Sequence, residues 1–223
     1  MSEEYTTKLE NIIKQMLNPL KGIPLNLVIE SISGHKIIPF DQNNEKDIEL
    51  LKNLIFVADL AGKSFNKKGV LRPRPNEVGN DIEPFVKKAL EKVGYKAYTP
   101  LSKSGNKKST GYPDIEFIDD FGRINYLECK TYNIDNISTT QRSFYLSPSD
   151  DFKITNDAHH FVISFEIFVK GNRGSNHIYN CNSWKILTLE KLEVDVKYEF
   201  NSDNSRMYVK ELILAEGALK KTS

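Results

Sequence analysis

Polar and apolar residues alternate from Asp114 to Ile118, and an extended pattern resumes from Arg123 to Tyr132 after the turn residues Asp119-Asp120-Phe121-Gly122. A period of two on both sides of a short turn predicts a β-hairpin. His160 to Val169 is the most strand-like run in the chain and is expected to form a central strand of the same sheet, ending at the turn Gly171–Asn176. Tyr95 to Thr99 reads as an outer strand, and Trp184–Leu187 and Val194–Phe200 as further extended pieces, the latter paired with Arg206–Leu212 through Asn201–Ser205. Helical spacing governs three other segments. The first, Glu3–Leu17, is closed by Asn18-Pro19, and the second, Glu45–Ala61, carries Ile48, Leu51, Leu54, Ile55 and Ala58 on one face. The third runs from Asn76 to a stop at Gly94, with Ile82, Phe85, Val86, Ala89, Leu90 and Val93 at helical spacing. These elements predict an α/β fold with a mixed sheet flanked by helices.

The hairpin gathers chemistry as well as structure. Glu128 and Lys130 share one face of their strand while Leu127 and Cys129 share the other, and Ile115 and Phe117 point away from Asp114. An apolar layer can therefore anchor both strands while Asp114, Glu128 and Lys130 project from the opposite side. Two carboxylates suit Mg²⁺, a hard cation usually held by one or two acids together with waters and phosphate oxygens. A lysine two residues beyond a ligand can orient the attacking water, accept its proton or stabilise transition-state charge, and these three roles are not separable by sequence.

At 223 residues the chain is long enough for one domain with a buried core, and 39% hydrophobic with 27% charged residues is ordinary for a globular protein. No apolar run approaches the roughly 18 residues of a membrane span. The segment MSEEYTTKLE has neither a basic region nor an apolar signal core, so a cytoplasmic location is expected. Two cysteines, Cys129 and Cys181, indicate no disulfide framework and no structural zinc, and Cys129 is expected in the core. The net charge of +1 conceals an asymmetry: Gly62–Thr110 carries 12 Lys and Arg against 4 Asp and Glu, leaving the remainder acidic. Such a stretch is an electrostatic footprint for a polyanion. Within it, Lys67, Lys68, Arg72 and Arg74 are assigned to a loop ahead of the third helix, and Lys103, Lys107 and Lys108 to a loop ahead of the hairpin.

The residues Pro113-Asp114 and Glu128-Cys129-Lys130, with thirteen residues between the two acids, resemble the signature of the PD-(D/E)XK nuclease superfamily. The resemblance is closest to type II restriction endonucleases and implies a restriction-endonuclease-like sheet with an N-terminal helical part and C-terminal β-hairpin additions. It also implies an acid on the helix before the hairpin. Glu83 is the candidate for that role and as a third metal ligand, with Glu77 as its substitute. Against this, Glu83 also reads as an acid that complements the helix macrodipole. The whole chain, 1–223, is expected to form one nuclease domain, with a helical part over 1–65, a catalytic core over 76–170 and strands over 171–223.

The polar and aromatic segment Asn133–Asp157 follows directly from the second hairpin strand. Gln141 and Arg142 there have the groups that read adenine and guanine edges, and Thr139, Thr140, Ser143 and Tyr145 suit phosphate; the alternative is a surface segment whose Phe144, Tyr145 and Leu146 pack on the sheet. His159 and His160 are assigned structural roles. The function implied is Mg²⁺-dependent cleavage of double-stranded DNA at a specific site, with Mn²⁺ able to substitute, by a homodimer paired with a DNA methyltransferase. A structure-specific repair or recombination nuclease and a non-catalytic DNA-binding module are the alternatives.

Overall fold

The computed structural model describes residues 3–108, 110–133, 135, 137–138, 143–198, 202–207 and 209–213. The chain divides into two compact units, residues 23–194 and residues 1–22 with 195–223. The smaller unit holds helix α1, Glu3–Met16. In it Gly22 N–H donates to Asp195 Oδ1, Val196 N–H donates to Leu20 C=O, and Asp203 Oδ1 accepts the Arg206 N–H ahead of a short helical turn, Asn204–Met207. A helical turn therefore stands where the second strand of a C-terminal hairpin was expected.

The larger unit opens with strand β1 (Ile23–Pro24), helix α2 (Leu25–Ser33) and the long helix α3 (Glu45–Lys68). Strand β2 (Val70–Arg72), a 3₁₀ turn (Pro75–Glu77), helix α4 (Gly79–Lys92) and strand β3 (Lys96–Tyr98) follow. The hairpin is β4 (Ile115–Ile118) and β5 (Ile124–Tyr132), and beyond it lie β6 (His159–Arg173), β7 (Asn176–Thr188) and β8 (Glu193–Val194). Six strands make a mixed sheet in the order β2-β7-β6-β5-β4-β3, and β1 with β8 forms a separate two-stranded piece. Among the described strands β5 and β6 run parallel and the other strand pairings are antiparallel, while an isolated parallel bridge joins Ile37 to Ala158. Among the described residues the C-terminal hairpin is β6–β7, and Val194 pairs with Ile23; positions 199–201 and 208 of the further hairpin that was expected lie outside the described residues.

Each face of the sheet is buried by different elements. On one face Leu54, Ala58, Ala61 and Phe65 of α3 and Ile82, Val86 and Leu90 of α4 pack against Ile115, Phe117, Leu127, Ile163 and Phe165. On the other, Leu25 and Ile29 of α2 pack with Ile37, Tyr112, Tyr126, Val162 and Ile154, and Phe144 and Leu146 join them. The crossover between the parallel strands β5 and β6 thus lies on the second face and supplies part of its core. Tyr145 is exposed.

Capping explains the reach of α3. Asn44 Oδ1 accepts the Lys46 N–H at 2.9 Å, Glu45 and Asp47 complement the first turn, and Lys67 and Lys68 the last. Gly69, at φ 65°, ends the helix with its N–H on Phe65 C=O, a backbone conformation that side chains with a Cβ disfavour. The helix runs past the expected Ala61, so Lys67 and Lys68 belong to its end, not to a loop, and Arg72 lies on β2. Its buried stripe is Leu50, Leu54, Val57, Ala58, Ala61 and Phe65, whereas Ile48 and Ile55 remain 37% and 40% exposed. Two apolar stripes compete in this helix, and packing on the sheet selects the one whose small residues, Ala58 and Ala61, permit close approach.

A buried carboxylate ties α3 to the hairpin. Asp47 accepts the Asp41 N–H at 2.9 Å and a hydrogen bond from Arg123, and His159 Nε2 lies 3.4 Å away. Arg123 also pairs with Asp119, which accepts the backbone N–H groups of Phe121 and Arg123 and so shapes the β4–β5 turn. Burial raises the pKa of Asp47, but the Asp41 N–H, the Arg123 hydrogen bond and the charges of His159 and Arg123 outweigh it, and the net pKa is lowered. A depressed carboxylate pKa stabilises the fold above the ordinary value of 3.8 and ceases to do so as the pH falls through the folded pKa. Asp47→Asn is expected to cost about 1–3 kcal/mol at pH 7. Denaturant titrations should show that deficit shrinking as the pH falls below 4; a deficit that does not change with pH refutes the assignment.

Candidate active site

The hairpin register sets the acids face to face. Ile115 pairs with Leu127, so Asp114, one residue earlier, stands next to Glu128 at the end of the β4–β5 ladder. Asp114 Oδ2 accepts the Cys129 N–H at 2.9 Å, which fixes the carboxylate against β5. Lys130 Nζ lies 2.7 Å from Glu128 Oε1. Glu128 is buried, and its second oxygen, Oε2, has no hydrogen-bond partner. The three hairpin residues read from the sequence thus converge, and Cys129 is buried on the opposite face as expected.

Both acids are harder to ionise than free carboxylates. For Glu128 burial is the main cause and the Asp114 charge the next; Lys130 opposes them, and the pKa rises from 4.5 to about 7. Asp114 is raised by burial and by the charge of Glu83, against the Cys129 N–H and the charges of Lys130 and Lys153. The rise at Glu128 amounts to about 3 kcal/mol against ionisation. A carboxylate held in that state gains most from a cation that restores its charge.

Glu83 reaches the same cleft from α4. A cavity of about 280 Å³ is lined by Glu83, Thr99, Lys107, Asp114 and Lys153. Glu83 pairs with Lys87, one helical turn on, and Lys87 Nζ also donates to Thr99 Oγ1 at 2.8 Å. Glu77 is elsewhere: its electrostatic neighbours are Arg72 and Tyr179. Among the described residues no three His, Cys, Asp or Glu side chains converge closely enough to hold an ion unaided. Two carboxylates, with a buried oxygen left open, still fit a hard cation that keeps waters of its own.

Of the described basic residues assigned to DNA contact by sequence, Lys107 alone lines this cleft. Lys108 is bound to Asp151, its Nζ 2.6 Å from Oδ2. Arg72 forms a two-pronged pair with Asp81 at 2.7 and 2.8 Å. Lys68 Nζ sits 5.8 Å over the Phe85 ring, and Lys67 and Arg74 flank β2 without entering the cleft. Gln141, Arg142, Thr139 and Thr140 lie outside the described residues. The two histidines are buried in structural contacts: His159 Nδ1 on Ile38 C=O at 3.0 Å and His160 Nδ1 on Tyr112 OH at 2.6 Å.

Sequence reasoning missed Lys153. It is 4% exposed, and its Nζ donates to Gly111 C=O at 2.6 Å and to Pro113 C=O at 3.1 Å. Burial lowers its pKa, while the charges of Asp114, Glu128 and Glu83 act in the other direction. The available signal was a lysine set between two apolar residues, Phe152 and Ile154, within a polar segment.

Comparison with known proteins agrees with this geometry. The model of the type II restriction enzyme MjaV family matches residues 19–211. The type II restriction enzyme MjaV of Methanocaldococcus jannaschii is 40% identical over 233 residues, covering 98% of this chain and 99% of the relative. No solved structure gives a significant match. An acid before β4, an acid-x-lysine on β5 and a mixed sheet flanked by helices are consistent with the PD-(D/E)XK superfamily. The chain belongs to the type II restriction enzyme MjaV family.

Proposed function

We propose that the protein is a type II site-specific deoxyribonuclease that hydrolyses phosphodiester bonds in double-stranded DNA, with Mg²⁺ held by Asp114 and Glu128. One observation carries this reading: Asp114 and Glu128 adjoin across the β4–β5 ladder, and a buried oxygen of Glu128 has no hydrogen-bond partner. The family assignment favours restriction over repair and over a non-catalytic module. When bound, the metal supplies Lewis-acid activation of water and phosphate and offsets leaving-group charge.

The protein's own residues do the rest. Asp114 is oriented by the Cys129 N–H, so its position is set before substrate arrives. Lys130 forms an ion pair with Glu128, and an ammonium in such a pair has protons to give and no lone pair with which to accept one. Lys130 acts as a donor to the scissile phosphate, stabilising the charge that builds on its oxygens. Glu83 is the third acid and acts on waters of the cleft, since its Oε1 is engaged by Lys87. Lys107, on the cleft wall, contacts the backbone of the bound strand. Lys67, Lys68, Arg72, Arg74, Lys108, Gln141 and Arg142 are proposed as outer DNA contacts, with Arg72 and Lys108 first exchanging an internal acid for phosphate. A homodimer meeting a palindromic site, with a DNA methyltransferase protecting the host, completes the reading.

Asp114→Ala and Lys130→Ala should each lower Mg²⁺-dependent plasmid cleavage by at least about 10²–10³-fold. Gel-shift assays without metal should show that specific binding survives. An Asp114→Ala protein that cuts at the normal rate removes Asp114 from the site.

Glu128 sets a pH dependence for the metal. Below about 7 the metal-free carboxyl is protonated and must release a proton for an ion to bind; above that value it need not. The rise in melting temperature produced by a fixed Mg²⁺ concentration should therefore be larger at pH 8 than at pH 6. Half-saturation should weaken about tenfold for each pH unit below 7. An equal Mg²⁺ shift at both pH values contradicts this assignment of Glu128.

A further inference from the structure

The turn that carries Asp114 into the site is held by a charge from another part of the chain. Gly111, Tyr112 and Pro113 precede Asp114, and both the Gly111 and the Pro113 carbonyl accept hydrogen bonds from Lys153 Nζ. Lys153 belongs to the crossover between β5 and β6, forty residues beyond Pro113, and is buried. Burying an ammonium is costly, and a methionine of similar length would fill the same space without that cost. The charge is explained by what it faces: Asp114, Glu128 and Glu83 all act on it electrostatically, and it shares a cavity wall with Asp114 and Glu83.

We propose that Lys153 is a positioning residue of the active site, clamping the Gly111 and Pro113 carbonyls so that the Asp114 carboxylate is presented beside Glu128. This rests on the reading of Asp114 and Glu128 as the metal-binding pair and adds a residue to it. Lys130 and Lys153 then approach the acids as two ammonium groups with separate tasks, the first toward the substrate and the second toward the backbone. Without the clamp the Gly111 and Pro113 carbonyls lose this shared donor and the turn before β4 is free to shift. Outer contacts of this kind typically alter metal affinity by about 10–100-fold.

The test uses Lys153→Met and Lys153→Arg in the full chain, below the melting temperature of each. Lys153→Met should raise the Mg²⁺ concentration for half-maximal melting-temperature shift, and for half-maximal cleavage, by about 10–100-fold. Lys153→Arg keeps the charge and two or more donors and should recover part of that loss. A lysine that only stabilises the fold predicts lower melting temperatures with unchanged Mg²⁺ half-saturation, and that result overturns the proposal. Should neither variant fold, Mg²⁺ is titrated into isotope-labelled wild-type protein while the lysine ammonium resonances are followed by NMR. A shifted Lys153 signal supports the proposal and an unmoved one overturns it. Asp114→Ala is run alongside. An inactive Asp114→Ala with a normal Lys153→Met defeats this inference alone, whereas an active Asp114→Ala defeats the underlying site.

Discussion

Two carboxylates held side by side out of water repel one another, and every stabilising contact around Asp114 and Glu128 answers that repulsion. Their raised pKa values follow from burial first; the Asp114 charge adds to the rise at Glu128, and the Glu83 charge to that at Asp114. Left alone, such a pair would take up protons or move apart. Three groups of this chain oppose both outcomes. The Cys129 N–H fixes one oxygen of Asp114, Lys130 pairs with Glu128, and Lys153 holds the turn that delivers Asp114. In the proposed reading an arriving cation relieves that repulsion.

A frame that resists such repulsion has to be stiff, and the topology supplies one. β5 carries Glu128 and Lys130 and lies inside the sheet, with β4 antiparallel on one side and β6 parallel on the other. Residues 159–165 of β6 are all buried. Parallel pairing requires the chain to cross over between the strands. Here the crossover lies on the second face, where Phe144, Leu146 and Ile154 complete a core around Tyr126 and Val162. The same segment brings Lys153 to the acids. In the folded chain the packing of Ile154 therefore fixes where its neighbour Lys153 lies.

The parts legible in the sequence were those fixed by local rules. Strand phase put Asp114, Glu128 and Lys130 on one face, and turn chemistry around Asp119 and Gly122 joined their strands. The apolar spacing of α4 and its stop at Gly94 were equally local. What failed depended on partners distant in sequence. The buried stripe of α3 was chosen by the sheet, not by the helix. Lys153 looked like one more polar residue in a loop because its carbonyl partners lie 40 and 42 residues away. Arg72 and Lys108 were counted toward a basic surface, yet composition conceals their pairing with Asp81 and Asp151.

That pairing changes the meaning of the basic stretch. A surplus of lysine and arginine draws in a polyanion only where the charges are not already met by acids of the same chain. Arg72 and Lys108 are met in this way. Around the cleft the balance is different. Three acids, Glu83, Asp114 and Glu128, are interleaved with four lysines, Lys87, Lys107, Lys130 and Lys153. Naked carboxylates would repel a phosphate, and lysines alone would bind it without activating it. Interleaving resolves the conflict, since each acid has an ammonium close enough to screen it from an approaching anion at short range. In the proposed reading the lysines thus serve the acids twice, by making their burial tolerable and by making their surroundings acceptable to a phosphate.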